Sequence, residues 1–544
     1  MKKLKRFGII ALLLSVITLS VGYKSDFFEV AKQLEIYTTL FKELNMYYID
    51  ETNPAELTET AIDKMLAELD PYTRFYDEQG VEKARINANG QHGGIGADTK
   101  IINGALVITE PYEALPADKS GLLAGDIIVK INDISLDELP AVDAQLLLNG
   151  VPESTVDLTV MRQGKPINVS LNRTSIDVDP VPYHQMLNDE VGYISFIKFN
   201  DKASARVKES FEDLKTQGMQ KLILDMRGNL GGLLNEAVEI TNFFIPKNEV
   251  VVTTKAKVKK WSDVYKTKRE PLDLDIPIVV LIDHMSASAS EIVAGSLQDL
   301  DRAVIVGERS FGKGLVQRYR ELTYGTQLKL TIAKYYTPSG RCIQELDYTH
   351  RDENGEVPKF SAKQRNAFQT KNGRTVYDGG GIEPDIKLVN AERSKATKDL
   401  LNSDAFFNFA VAYHHANNQI AEPSTFKLSE ADFNRFMAYI QTKESGFVTP
   451  TDQKLTDLYE EAHNEGYAAD IKNEFEALEG KIKKEKVKEL QPNKTEIKDV
   501  LSNEIVRKYY YKKGEFIRKV NQDQAVLKAV NVLKDQQKYK KILE

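Results

Sequence analysis

Ile276-Pro-Ile-Val-Val-Leu-Ile-Asp283 runs, two residues on, into Ser286-Ala-Ser-Ala-Ser-Glu291, and Gly307-Glu-Arg-Ser-Phe-Gly-Lys-Gly314 follows. The first run is apolar without alternation. That marks a strand buried on both faces, the kind found in parallel sheets. The pattern recurs on either side of it. Tyr193-Ile-Ser-Phe-Ile197 precedes an amphipathic Ala203–Gln217, Lys221-Leu-Ile-Leu-Asp225 precedes Leu233–Phe244, Ile276–Asp283 precedes Ser288–Leu300, and Ala303-Val-Ile-Val306 closes the set. From about Val191 to Val389 this alternation predicts an α/β core: a largely parallel sheet covered on both faces.

Ligands of such sheets sit at the carboxyl ends of strands. Two of these ends are rich in glycine or serine: Asp225-Met-Arg-Gly-Asn-Leu-Gly-Gly232 and Ser286–Glu291. Backbone N–H groups in the glycine loop, and at the start of the Ser288 helix, are suited to stabilising an oxyanion. A serine hydroxyl is a poor nucleophile until a base takes its proton. Lys313, the lone lysine of its loop, becomes such a base if burial lowers its pKa by about 3 units. Ser–Lys pairs are a known variant of nucleophile and base. The same serines would equally cap the helix, and spacing alone leaves both roles open.

Other residues invite weaker readings. His284 lies four residues before Ser288, with no acidic orienter evident in the sequence. Cys342 reads as a small packed residue, and Trp261, among lysines, as a surface or hinge contact. Gly307-x-x-x-x-Gly312-Lys313 nearly matches a phosphate-binding loop. Gly314 stands where a Ser or Thr should hold magnesium, and no helix pattern follows, which argues against nucleotide binding.

Upstream, residues from about Gly90 to Arg173 read as a small, partly open β-barrel. Its strands are Ala105-Leu-Val-Ile108, Asp126–Ile131, Val156–Val160 and Ile167–Leu171, with one helix over Pro140–Leu148. Residues 27–83 read as a small helical pack: Leu40, Phe41, Leu44 and Tyr47 recur at helical spacing, as do Leu57, Ile62, Met65, Leu66 and Leu69. Lys2, Lys3, Lys5 and Arg6 precede a mostly apolar run, so residues 1–22 form a signal peptide or a membrane anchor through residues 7–22. Beyond Ala391 the chain is charged and helical, and Lys481–Glu489 reads as a solvated face or linker.

Composition narrows the classes. At 544 residues several domains are expected, and 42% hydrophobic content supports sizeable cores. A net charge of -7 argues against nucleic acid as the main partner. A single cysteine excludes internal disulfides and cysteine-based zinc sites, and no H-E-x-x-H occurs, so no metal or cofactor is expected.

Taken in order, Asp70-Pro-Tyr-Thr-Arg-Phe-Tyr76, Gly93-Gly-Ile-Gly-Ala97, Ala117–Ile128, Asp225–Gly232, Ser286–Glu291, Phe311-Gly-Lys-Gly314, Tyr335-Tyr-Thr-Pro-Ser-Gly340 and Gly381-Ile-Glu-Pro-Asp385 resemble the motifs of the carboxyl-terminal processing, or tail-specific, serine proteases. The likeness covers roughly residues 27–389. It implies a helical segment over 27–83, a PDZ domain over 85–175, a crotonase-like Ser/Lys protease core over 176–390 and a C-terminal helical extension over 391–544. It further implies Ser288 as nucleophile, Lys313 as general base and Gln317 as the residue orienting the lysine. Gly231 and Ala289 would supply oxyanion N–H groups. Gly93, Gly94, Ile95 and Gly96 would bind a peptide's terminal carboxylate while the peptide adds as a strand; a purely structural turn is the alternative for that loop. The implied protein is an exported, ATP-independent endopeptidase of the periplasm or the outer face of the inner membrane. It would act on proteins with free C-termini, with the C-terminal helices available for a homo-oligomer or adaptor. The rival class is an inert PDZ scaffold on a protease fold. Retention of Ser288, Lys313 and Gln317 together favours the enzyme.

Overall fold

The computed structural model describes residues 27–78, 80–81, 91–139, 141–353, 355–388, 393–442, 445 and 447–544. The signal or anchor segment expected over residues 1–22 lies outside them. No helix among the described residues is long and apolar enough to cross a membrane. The chain forms two units, one of the residues up to Asp77 with Tyr319–Thr331, the other of the remainder.

The smaller unit holds a helix over residues 27–47, a helix Pro54–Ala67 and the strand Arg74–Tyr76, which pairs antiparallel with Gln327–Lys329. Asp70 explains its motif: its carboxylate accepts from the Tyr72 and Thr73 N–H groups and from the Thr73 and Thr331 hydroxyls. The expected helical pack does not close here. Leu40, Leu44, Tyr47, Leu57, Met65 and Leu69 are exposed, and Leu66 is buried. Two helices and a short ribbon are too little chain to enclose a core.

In the larger unit a six-stranded sheet carries the expected α/β core. Its strands are β1 (Tyr183–Met186), β2 (Val191–Ser195), β3 (Lys221–Asp225), β4 (Ile278–Ile282), β5 (Val304–Gly307) and β6 (Ile386–Lys387). They lie side by side in chain order, β1 antiparallel to β2 and the rest parallel. The helices α1 (Ala203–Thr216), α2 (Leu234–Asn242) and α3 (Ala289–Asp299) follow β2, β3 and β4. Right-handed crossovers taken always in the same direction place every connecting helix on one face. Accordingly Ile194, Leu222, Leu224, Val280, Ile282 and Ile305 pack with Phe211, Ile240, Val293 and Leu297.

The opposite face needs another cover, and the chain's end supplies it. Helices α4 (Lys494–Val520), α5 (Gln524–Lys534) and α6 (Gln536–Leu543) close the molecule. Val520, Val526, Ala529, Leu533 and Tyr539 cover Tyr193, Ile223, Val279, Leu281, Val304 and Val306. Tyr539 Oη also bonds the Ile278 N–H and carbonyl, 2.9 and 3.1 Å. The remaining C-terminal helices build a core with the first part of α4, around Phe406, Phe409, Phe433, Phe436 and Ile505.

The segment before the core is a six-stranded antiparallel sheet with the helix Ala141–Leu147, around Ile108, Ile128, Ile131, Val156 and Val160. Among the described residues its strand Ala97–Ile102 pairs only with Ala105–Pro111, at the edge of the sheet. A region the sequence reading left unassigned, Val250–Lys266, forms an antiparallel hairpin whose first strand also pairs with Ala333–Tyr336.

Candidate active site

The carboxyl ends of β3, β4 and β5 carry three loops that are stitched to one another by buried polar groups. After β4, the Asp283 Oδ1 atom accepts from the N–H groups of Gly228, Met285 and Ser286, each at 3.0–3.1 Å. Ser286 Oγ donates to the Met226 carbonyl at 2.8 Å, and Ser290 Oγ to the Asn229 carbonyl at 2.8 Å. The Asn229 carbonyl also accepts the Ala287 N–H at 3.0 Å. Both outer serines are thus buried and committed to the glycine loop, whereas Ser288 between them is half-buried.

Ser288 stands at the N-cap of α3 with φ 57° and ψ -113°. A left-handed φ on a non-glycine residue costs about 1–3 kcal/mol and persists only where its surroundings enforce it. Here Glu291 accepts the Ser288 N–H at 2.8 Å, while the Ser288 carbonyl accepts from Ile292 N–H at 3.0 Å and Tyr335 Oη at 3.1 Å. The N-cap and nucleophile readings therefore concern one position.

Glu291, to which the sequence reading assigned no role, organises the site. Its Oε2 takes the N–H groups of Ser288 and Lys313 at 2.8 and 2.9 Å, and its Oε1 takes the Ser310 hydroxyl and the Gly312 N–H at 2.5 and 2.7 Å. Complete burial pushes its carboxyl up to about 7, against the lowering effect of those four donors. One carboxylate thereby holds the Ser288 turn and the Lys313 loop together. Phe311 N–H adds a bond to the Ser286 carbonyl at 3.0 Å, and Tyr335 Oη one to the Lys313 carbonyl at 2.5 Å. Lys313 is half-buried, as is Gln317 on the following strand, Leu315–Glu321. The phosphate-loop likeness dissolves in this geometry. The N–H groups of Gly312 and Lys313, which such a loop would offer to a phosphate, are taken by Glu291.

Gly231 lies against Ser288 with φ 91°. A Cβ there would come within 2.5 Å of the Ala287 carbonyl oxygen, 2.8 Å of the Ala289 nitrogen and 2.9 Å of the Ser288 Cβ, so only glycine fits. Ala289 opens α3, where an N–H has no acceptor within its own helix. The Gly231 N–H donates to Asn229 Oδ1 at 2.9 Å, and Asn229 Nδ2 donates to the Phe196 carbonyl at 2.9 Å.

His284 does have an acidic partner: its Nδ1 lies 3.0 Å from Glu308 Oε2, on an exposed ring. Burial pushes the Cys342 thiol up, which disfavours a thiolate. No group of three His, Cys, Asp or Glu among the described residues is placed to hold a metal.

The four residues of the candidate carboxylate loop have distinct positions. Gly93 and Gly94 belong to a strand paired with Thr174–Asp177, and a Cβ on Gly93 would fall 1.9 Å from the Gly150 carbonyl oxygen. Ile95 is buried in the PDZ-like core. Gly96 has φ 77°, and its carbonyl accepts from Tyr112 as that of Ile95 does from Ala117. The loop leads directly into the edge strand Ala97–Ile102.

Comparison with known proteins follows the same division. Residues 190–350 match the model of peptidase family S41, residues 93–172 that of the PDZ domain, and residues 396–533 that of a probable PDZ-protease C-terminal helical domain. A carboxy-terminal-processing protease of Bartonella bacilliformis is 36% identical over 326 residues, covering 58% of this chain and 74% of the relative. A probable CtpA-like serine protease of Staphylococcus saprophyticus is 33% identical over 412 residues, covering 71% and 82%. Among solved structures, a photosystem II D1 C-terminal processing protease aligns at 27% identity and a TM-score of 0.36, covering 64% of this chain and 86% of that one.

Proposed function

The chain belongs to peptidase family S41, as a carboxy-terminal-processing serine-type protease with a PDZ domain and a C-terminal helical domain, and from that premise we propose that Ser288 and Lys313 are its catalytic dyad. The observation that carries this reading is Glu291, whose single carboxylate binds the backbone of both residues. The core is read as crotonase-like.

In the proposed reaction, neutral Lys313 Nζ removes the Ser288 hydroxyl proton as Oγ attacks the scissile carbonyl carbon. The carbonyl π electrons move to oxygen, and the resulting oxyanion is met by the Ala289 N–H at the start of α3. The Gly231 N–H joins it by turning from, or sharing with, Asn229 Oδ1. The Lys313 ammonium then gives its proton to the leaving amine as the C–N bond breaks. Water repeats the attack on the acyl-serine ester, with Lys313 again taking and returning the proton. Gln317 orients the lysine. The protein is exported. Its PDZ domain selects envelope-protein substrates by their free C-termini, the tail adding to the edge strand Ala97–Ile102 with its carboxylate at Gly94–Gly96.

Ser288→Ala and Lys313→Ala should each lower peptide hydrolysis by about 10²-fold or more, and the double variant should be little worse than either, because members of a catalytic unit are not additive. Lys313→Ala retaining more than about a tenth of the wild-type rate would remove the lysine from the mechanism.

A further inference from the structure

The glycine loop of the active site is tied to the far end of the chain. Arg227, in Asp225-Met-Arg-Gly-Asn-Leu-Gly-Gly232, turns one side of its guanidinium onto Asp225: Nε to Oδ1 and Oδ2 at 3.0 and 3.1 Å, Nη2 to Oδ2 at 2.6 Å. Its Nη1 reaches Asp523, at 3.1 Å to Oδ1 and 2.9 Å to Oδ2. Asp523 is the N-cap of α5, where its Oδ1 also accepts from the N–H groups of Ala525 and Val526 at 2.8 and 3.0 Å. The next residue after Arg227, Gly228, gives its N–H to Asp283, and Asn229 beyond it holds both Gly231 and the Ser290 hydroxyl. A cation fixed between two carboxylates thus stands four residues before Gly231, which lies against Ser288.

We propose that Asp523, from the C-terminal helical domain, is a positioning residue for catalysis: through Arg227 it sets the conformation of the glycine loop that faces the Ser288 nucleophile. Its reach is geometric. Helix α5 lies on the second face of the sheet and cannot shift while Val526, Ala529 and Leu533 pack on β3, β4 and β5. A carboxylate at its first turn is therefore a rigid anchor, and the charge-assisted contact of Nη1 with both its oxygens holds the guanidinium against it while Nε and Nη2 stay on Asp225. On this reading the C-terminal domain is a working part of the catalytic centre as well as a cover for the sheet. The inference rests on the assignment of Ser288.

Asparagine caps a helix as well as aspartate does. Asp523→Asn therefore keeps the start of α5 and removes the charge that Arg227 meets. In the full chain, with a short quenched peptide as substrate, Asp523→Asn should lower kcat by about tenfold, the scale of a lost charge-assisted hydrogen bond. KM should stay within about twofold and Tm within a few degrees. Asp523→Lys, which sets a cation against Arg227, should lower kcat further, and Asp523→Glu should restore most of it. Wild-type kcat in both Asp523→Asn and Asp523→Lys would overturn the inference, as would a fall in kcat matched by the fall in folded fraction. A wild type that cleaves no peptide and takes no label at Ser288 would overturn the Ser288 assignment, and this inference with it.

Discussion

Two buried carboxylates hold the two halves of the site, and they do so by opposite electrostatics. Glu291 gathers Ser288, Ser310, Gly312 and Lys313 with four neutral donors. Asp225 faces Arg227, which also meets Asp523, and accepts the Tyr193 hydroxyl at 2.8 Å. Burial works against the Arg227 cation, but Asp225 and then Asp523 outweigh it and hold the guanidinium charged. Desolvation, outweighing four neutral donors, leaves Glu291 titrating at about 7. A buried carboxyl met by neutral dipoles is poised to lose its charge. The half of the site that holds Ser288 and Lys313 therefore carries a pH-sensitive carboxyl.

The largest test of that contrast is Glu291→Ala. It strands three N–H groups and one hydroxyl, at roughly 1–3 kcal/mol for each donor left buried. Unfolding free energy should drop by several kcal/mol and peptide hydrolysis should fall to the level of Ser288→Ala. A Glu291→Ala protein as stable as wild type would mean that the two loops hold themselves.

Next comes pH. The Glu291 carboxyl is raised in the folded chain, so between pH 4.5 and about 7 the folded state binds the proton and the unfolded state does not. Its contribution is fully present below about 4.5 and is lost as pH rises through about 7, amounting to about 3 kcal/mol in all. Denaturant unfolding at pH 5 and pH 8 should show this fall in the wild type and a flatter profile in Glu291→Gln, which is less stable throughout. Activity should run the other way, rising with pH as Glu291 ionises and regains all four donors. Equal slopes for wild type and Glu291→Gln would assign the pH dependence to another group.

The smallest effect belongs to the paired half. Tyr193→Phe removes one hydroxyl bond to Asp225 and should cost about 1 kcal/mol, read by denaturant unfolding. A Tyr193→Phe protein as stable as wild type would mean that the pair with Arg227 holds Asp225 without this bond.

Much of this was legible in the chain. The apolar runs at Lys221–Asp225, Ile276–Asp283 and Ala303–Val306 announce interior strands, because a strand covered on both sides has no polar face to keep. Glycine at 231 and serine at 288 announce a tight turn beside a helix start. The Ser288-x-x-Glu291 spacing was a signal left unused, since a capping box sends the Glu carboxylate back to the N-cap N–H. The hairpin over Val250–Lys266 was missed for a different reason: its apolar run Val250–Val252 is short and passes through threonines into lysines, and the strand that its first strand also pairs with lies about eighty residues away.

What the sequence determined by itself was the local grammar: which segments are strands or helices, which loops must be glycine-rich, and which serine and lysine are candidates for chemistry. These follow from periodicity and from the dihedral freedom of single residues. Only the tertiary structure decided that Ser286 and Ser290 spend their hydroxyls on the glycine loop, that Glu291 binds Lys313 as well as Ser288, and that the last two helices cover the bare face of a sheet wound in one direction. The physical reason is that burial and hydrogen-bond partnership are properties of chain segments brought together from afar. Asp523 and Arg227 are 296 residues apart in the chain, and no local pattern around either one specifies the other.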